Sequence, residues 1–130
     1  MTLLAEDLAK PSWQCVHFTD SAPLQSSLSA LGVHTVSIDA SDISSKQEMM
    51  SSLAAALDFP EHFGANWDAL DDSLRDLSWL DAHNHALTVE NARVLWRDQP
   101  ELAGGLLESW LGAAHRWADL GIGFHLVFEW

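Results

Sequence analysis

The feature that most constrains the fold is the alternation of strand-like and helix-like segments along the whole chain. Short apolar, β-rich runs occur at residues 12–20, 33–39, 86–90 and 122–130. Segments with apolar residues three and four positions apart lie between them. Because consecutive strands joined through helices pair in parallel, this order predicts a small layered α/β fold. We expect a three- or four-stranded, mostly parallel sheet packed with helices.

Helix boundaries lie between these strand-like segments. Residues 22–31 predict a short helix that ends at Gly32. Ser45 and Glu48 form a capping-box pattern at the start of a second helix. Pro60 predicts that this helix stops nearby, because the residue before a proline is driven away from the α conformation.

The C-terminal half predicts a short helix and a long one before the last strand. The short helix is expected over residues 91–97. Pro100 suits the first turn of the long helix, and Gly121 suits its end. Gly104 and Gly105 oppose this assignment, since each costs a helix about 1 kcal/mol relative to alanine. We therefore predict a long helix whose early turns are weak.

The charge balance is strongly acidic. The 130 residues include 19 Asp and Glu against 6 Lys and Arg, a formal net charge of −13. Such a chain repels nucleic acid and anionic lipid, so we expect neither as a direct partner and expect attraction to a basic protein. Acidity also serves solubility, and the total charge leaves that alternative open. The 48% apolar content suits one core, so residues 1–130 predict a single domain.

One cysteine and the first residues bear on the cellular compartment. Cys15 stands alone, so no intrachain disulfide is possible, which suits a reducing environment. Residues 1–10 contain Glu6 and Asp7 and lack the basic and apolar regions of a secretory signal. No apolar run approaches the roughly 20 residues of a membrane span. We expect a soluble cytoplasmic protein.

The most informative segment is an acidic helix for which Asn66 is a suitable N-cap. An apolar stripe at helical spacing predicts its buried face: Trp67, Leu70, Leu74 and Leu77. The opposite side carries four carboxylates: Asp68, Asp71, Asp72 and Asp76. The helix is therefore expected to bury one face and to present an anionic one.

Two interpretations of the anionic face stay open on residue chemistry alone. Asp72 is a like-charge neighbour of both Asp68 and Asp76 at a spacing of four, and each pair destabilises a helix by about 0.2–0.5 kcal/mol. That penalty favours a role in binding. In the other interpretation the face is simply solvated, and Asp68 is stabilised in the first turn by the helix dipole.

The segment from Phe59 to Leu74 resembles the signature of the barstar family. That signature has an apolar residue, Pro, Glu, two aromatic residues and Gly, then Asn, an apolar residue, Asp-Ala-Leu, a further Asp and Leu. The predicted order of elements also agrees over residues 33–130, whereas residues 1–32 look like an extension with an extra strand and helix. The resemblance implies a small barstar-like layered fold.

The resemblance also implies a function, the inhibition of barnase-type ribonucleases by a loop and helix that plug the nuclease active site. Asp72 falls at the position of the family's main phosphate-mimicking carboxylate, and Asp68 falls at that of its second interface Asp. His62 takes the place of an interface aromatic residue. Gly64 and Asn66 match loop positions where the backbone approaches the nuclease. The implied partner is a basic ribonuclease or ribonuclease-type toxin.

The chain departs from the family pattern in ways that bear on the target. Asp71 stands where barstar has an interface Trp, and residues 75–77 replace a small polar residue, Gly and Trp. Trp79 lies two residues beyond that second Trp position and is a candidate shifted anchor. Arg116 aligns with an interface Glu, a reversal of sign. The full set of expected partner-binding residues is His62, Gly64, Asn66, Trp67, Asp68, Asp71, Asp72, Asp76 and Trp79.

Other functions fit parts of the sequence. His83 and His85 would suit a metal, but no CxxC or HExxH pattern accompanies them. Asp68 and Asp72, with His62 nearby, would suit the acid–base pair or magnesium site of a metal-dependent hydrolase. Exposed helical carboxylates rarely have the perturbed pKa values that are typical of catalytic groups. We therefore predict no enzymatic activity, no cofactor and no metal; the main alternative is an acidic module that regulates another basic protein.

Overall fold

The computed structural model describes residues 3–81 and 84–130. Within these residues, helices pack on both faces of a four-stranded sheet. A 3₁₀ turn, Ala40–Asp42, follows the second strand. The helices and strands in chain order are α1 (Ala5–Leu8), β1 (Val16–Thr19), α2 (Gln25–Ala30), β2 (Val33–Asp39), α3 (Lys46–Ala56), α4 (Trp67–Asp76), β3 (Asn84–Glu90), α5 (Ala92–Asp98), α6 (Pro100–Asp119) and β4 (Phe124–Glu129).

The sheet is parallel throughout and has the strand order β1-β4-β3-β2. Strand β3 therefore lies between β2 and β4, and its residues are almost all buried. Strand β1 joins from the other end of the chain and pairs Val16 with Leu126 of β4. The predicted α/β fold with a mostly parallel sheet is confirmed.

The strands alternate their side chains between two cores of unequal size. On one face the larger core includes Leu87 and Leu126, together with buried residues of helices α3 to α6. On the other face Ala86 and Val127 pack with residues from α1 and α2. Helices α1 and α2 therefore cover a sheet face that would otherwise be exposed to solvent.

Most helix and strand boundaries lie near the positions that local sequence signals predict. The shorter elements differ from the prediction. Gly32 and Gly121 follow helices with φ of 76°, the left-handed conformation that glycine adopts without strain. The strand predicted at 12–20 is confined to four residues, which pair in parallel with β4. Helix α1 was not predicted. It is one turn long and is held by the packing of Leu8, which is 1% exposed.

The capping box predicted at the start of α3 has two hydrogen bonds. One is confirmed, and the other has a different donor. Ser45 Oγ accepts a hydrogen bond from the Glu48 backbone N–H at 3.1 Å. The Glu48 carboxylate accepts from the Ser44 backbone N–H rather than from that of Ser45. Hydrogen bonds from Ser44 lower the pKa of Glu48. In the part of the chain that the structure describes, no helix is long and apolar enough to cross a membrane.

Candidate protein-binding surface

Helix α4 presents aspartates on the side opposite its buried leucines. Leu70 and Leu74 have no exposed surface and belong to the larger core. Asp68, Asp72 and Asp76 are exposed, and Asp71 is partly buried: these four residues are called the aspartate surface below. The amphipathic pattern in the sequence correctly predicted which face of this helix is buried.

Both ends of α4 have side-chain hydrogen bonds to free backbone groups. At the start, Asn66 Oδ1 accepts from the Ala69 backbone N–H at 2.8 Å, which confirms the predicted N-cap. At the end, Trp117 Nε1 donates to the Leu74 carbonyl at 2.8 Å, and Arg116 Nε donates to the Arg75 carbonyl at 3.1 Å. Helix α6 therefore supplies two donors to the last turn of the acidic helix.

These donors were missed by sequence reasoning. Trp117 is buried, and its indole N–H donates to the Leu74 carbonyl of α4. Arg116, which aligns with a family interface residue, is exposed and bonds to the end of α4. No local sequence pattern predicts such contacts, because donor and acceptor are about 40 residues apart in the chain.

Trp67 anchors the first turn of α4 against α6. A Cβ placed on Gly105 would lie 2.8 Å from Trp67 Cζ2 and 2.9 Å from Cζ3, well inside normal contact distance. The ring is partly buried and packs against the larger core. Gly105 therefore has a packing role that offsets its low helix propensity, and α6 is continuous through Gly104 and Gly105.

The loop before α4 is held by aromatic packing, with polar residues at its exposed positions. The rings of Phe59 and Phe63 have centroids 4.7 Å apart, and the Phe63 N–H donates to the Pro60 carbonyl at 2.9 Å. His62 and Gly64 are exposed between this packed loop and α4. Both therefore lie next to the aspartate surface along the chain.

Trp79 points inward rather than standing free as an anchor. Its Nε1 donates to the Leu57 carbonyl at 2.9 Å, and its ring meets Phe59 edge-on at a centroid distance of 6.0 Å. The side chain is partly buried against the larger core. In the structure it ties the end of α3 and the loop to the segment after α4.

The aspartate surface is electrostatically unpaired. The one ion pair between side chains of residues 3–81 and 84–130 joins Arg97 and Asp98, on α5. None of the four aspartates in α4 is within ion-pair distance of a cation among those residues. The surface is therefore a fixed anionic site open to solvent.

Two histidine pairs lie on the sheet, away from the aspartate surface. His125 donates from Nε2 to the Lys10 carbonyl at 2.8 Å, so its Nδ1 accepts from His17 Nε2 at 2.9 Å. Nδ1 of His85 lies 3.4 Å from Nδ1 of His34. Burial lowers the pKa of His17 and of His85 to about 4, and it also lowers the pKa of His125.

The metal alternative falls partly outside the described residues. It paired His83 with His85, and residue 83 is not among those described. Within residues 3–81 and 84–130, no group of three or more His, Cys, Asp or Glu side chains is arranged to hold a metal ion.

The fold and the aspartate surface define a class of protein: a small parallel α/β protein that displays an anionic helix clamped by a neighbouring helix. Residues 33–129 match the family described as Barstar (barnase inhibitor), and the chain belongs to that family. The match begins at β2, so α1, β1 and α2 precede the family region. No curated protein matched the chain.

Proposed function

We propose that the chain is a stoichiometric inhibitor of a basic microbial ribonuclease or ribonuclease-type toxin. The carboxylates of Asp68 and Asp72 take the places of substrate phosphates in the nuclease active site. One observation carries the proposal: these unpaired aspartates are exposed on a helix whose leucines are fully buried and whose two ends are held by hydrogen bonds. Family membership supports the same function.

The physical argument starts from the target. A ribonuclease must hold the phosphates of its substrate with cationic donors, so its cleft is a concentrated positive site. Carboxylates on a clamped helix fill such a site with little loss of backbone conformational entropy, because the helix that carries them is already ordered before binding. Attraction between the anionic helix and the positive cleft speeds association of the two proteins. Desolvated charge pairs between them slow dissociation.

The remaining predicted residues have distinct roles in this proposal. Asp71 and Asp76 add charge beside the two phosphate mimics. His62 and Gly64 lie at the rim, where the nuclease passes over the loop. Asn66, Trp67 and Trp79 support the surface through the contacts described above and reach the nuclease only at their exposed edges.

The proposal implies an inhibitor rather than an enzyme, with no cofactor and no nucleic acid bound directly. Its place of action is the cytoplasm of the producing cell, where a lone thiol such as Cys15 stays reduced. There it protects the cell from the nuclease.

Titration of ribonuclease activity tests the proposal. Increasing amounts of the chain are added to barnase, and separately to a panel of small basic ribonucleases, while RNA hydrolysis is followed. We expect the activity of at least one nuclease to fall linearly and to reach zero at one inhibitor per enzyme. If no nuclease is inhibited, the acidic module that regulates another basic protein becomes the better hypothesis.

A further inference from the structure

A chain of hydrogen bonds through two histidines holds the first elements of the protein on the sheet. His17 of β1 donates from Nε2 to Nδ1 of His125 of β4 at 2.9 Å. His125 in turn donates from Nε2 to the Lys10 carbonyl, just after α1, at 2.8 Å. The two imidazole rings stack with centroids 5.1 Å apart. One residue of β4 therefore ties down both α1 and β1, which lie in residues 3–19 and are called the N-terminal segment below.

The N-terminal segment lies at the edge of the fold. Strand β1 is an outer strand of the sheet, next to β4. Leu8 of α1 packs in the smaller core beside Ala86 and Val127. Strands β4, β3 and β2 remain adjacent and in register without β1. The segment can therefore leave the sheet as a unit, which would uncover the outer edge of β4 and the face that α1 covers.

The histidine pair cannot hold two protons in its present arrangement. His125 uses its Nε2–H on a carbonyl and its Nδ1 as an acceptor, so a proton on Nδ1 would place two N–H donors against each other. His17 can take a proton on its other nitrogen and still donate, but the cation would then lie stacked on the ring of His125, which has no exposed surface. Once released into water, both histidines can be protonated.

The surroundings of the pair disfavour a positive charge. Burial, together with repulsion from His125, lowers the pKa of His17 to about 4, and burial also lowers the pKa of His125. Asp7 of α1 acts on both in the opposite direction and offsets only part of this effect. Helix α2, which packs on the same face, has no charged residue, and β3 places Ala86 opposite His125. The other ionisable side chains on the elements around the pair are Glu6 of α1, which is exposed, Lys10 and Cys15 beside the cavity next to His17, and Glu129, which accepts from the Ala22 backbone N–H.

We propose that this pair is an acid-sensitive switch: proton uptake by His17 and His125 releases the N-terminal segment while strands β2, β3 and β4 stay folded. The released segment binds more protons than the attached one between about pH 6.5 and about pH 4, so release is favoured as the pH falls through this window. The inference goes beyond the proposed function and does not depend on it, because the aspartate surface lies on α4.

The thiol of Cys15 reports the release. It is the only thiol of the chain, stands directly before β1 and is 4% exposed. The full chain is mixed with 4,4′-dithiodipyridine at about pH 7 and about pH 5, and the labelling rate is divided by that of N-acetylcysteine at the same pH. This relative rate should rise at least about tenfold at the lower pH, since release takes up protons. A relative rate that does not rise would overturn the proposal.

Urea denaturation at the lower pH separates release of the segment from unfolding of the whole chain. It gives the fraction of chains that are globally unfolded, and the relative labelling rate gives the fraction in which Cys15 is accessible. The accessible fraction should exceed the unfolded fraction at least about tenfold, because the segment opens more often than the whole chain. Equal fractions would mean that the thiol is reached only by global unfolding, and the switch would be excluded.

A substitution at His17 tests whether the histidine pair is responsible. His17→Gln places a neutral amide that does not titrate at this position, and His115→Gln, at an exposed position on α6, is the matched substitution. The rise in relative labelling rate between the two pH values should be at least about threefold smaller in His17→Gln than in His115→Gln, because one titrating group of the pair is lost. An equal rise in the two variants would assign the acid sensitivity to other groups and contradict the proposal.

Discussion

The indole of Trp67 lies directly against the backbone of α6 at Gly105, with no room for a Cβ between them. This contact holds the first turn of α4, and the hydrogen bond from Trp117 Nε1 to the Leu74 carbonyl holds its last turn. The two contacts fix the acidic helix on α6 at both ends. The positions of its aspartates therefore depend on residues that carry no charge.

Adjacent glycines of α6 give a matched test of this packing. Gly105→Ala should lower the free energy of unfolding by about 1–3 kcal/mol, because the new methyl group overlaps the Trp67 ring. Gly104→Ala has nothing within 4 Å of its Cβ and should raise it by about 0.5–1 kcal/mol through better helix propensity. Urea denaturation measures both. The same sign for the two variants would contradict the contact.

The buried face of α4 should be sensitive to truncation. Leu74 has no exposed surface, so Leu74→Ala leaves a cavity and should cost about 2–5 kcal/mol of stability. Thermal or urea denaturation measures the change. An unchanged midpoint would show that this helix does not pack on the core as described.

Asp72 should separate binding from folding. Asp72→Ala leaves cationic donors of the nuclease buried and unpaired, so it should weaken binding by at least about 2 kcal/mol. Folding stability should stay the same or rise by a few tenths of a kcal/mol, because repulsion from Asp68 and Asp76 is relieved. Calorimetry measures the first effect and denaturation the second. Asp42→Ala, outside the aspartate surface, is the control and should change neither.

Salt should act mainly on association with the inhibited nuclease. The aspartate surface is unpaired and exposed, so its attraction to a positive cleft is screened as ionic strength rises. Stopped-flow measurements between about 0.05 and 0.5 M salt should show an on-rate that falls by at least about tenfold, with a much smaller change in the off-rate. An on-rate independent of salt would remove electrostatic steering from the mechanism.

Acid should destabilise the fold through its buried histidines. The pKa of His17 and of His85 is lowered to about 4 in the folded chain, mainly by burial, and that of His125 is lowered too. Between the unfolded value near 6.5 and about 4, the unfolded state binds more protons. The free energy of unfolding therefore falls as the pH drops through this window, which denaturation at a series of pH values will show.

Substitution of His17 tests the source of that loss. His17→Gln should reduce the loss of stability between pH 7 and 4 by about 1 kcal/mol, less than the full shift implies because His17 is partly exposed. His115→Gln, at an exposed position on α6, is the matched substitution for comparison. Equal pH profiles for His17→Gln and the wild type would exclude this histidine as a source.

Several features of the surface follow from residues close together in the chain. Asn66 caps α4 through a residue three positions ahead, and the leucine spacing determines which face of that helix is buried. The segment from Phe59 to Leu74 also carried the resemblance to the family that the chain belongs to. Capping and helical periodicity act over about four residues, so both can be predicted without the fold.

Other features were decided only by the tertiary structure. Strand β1 pairs with β4 from the opposite end of the chain, and Trp79 turns inward to the Leu57 carbonyl. The glycine at position 105 weakens a helix when considered locally and makes room for Trp67 in the folded chain. These contacts join residues far apart in sequence, so they depend on how the layers pack, which no local pattern of residues specifies.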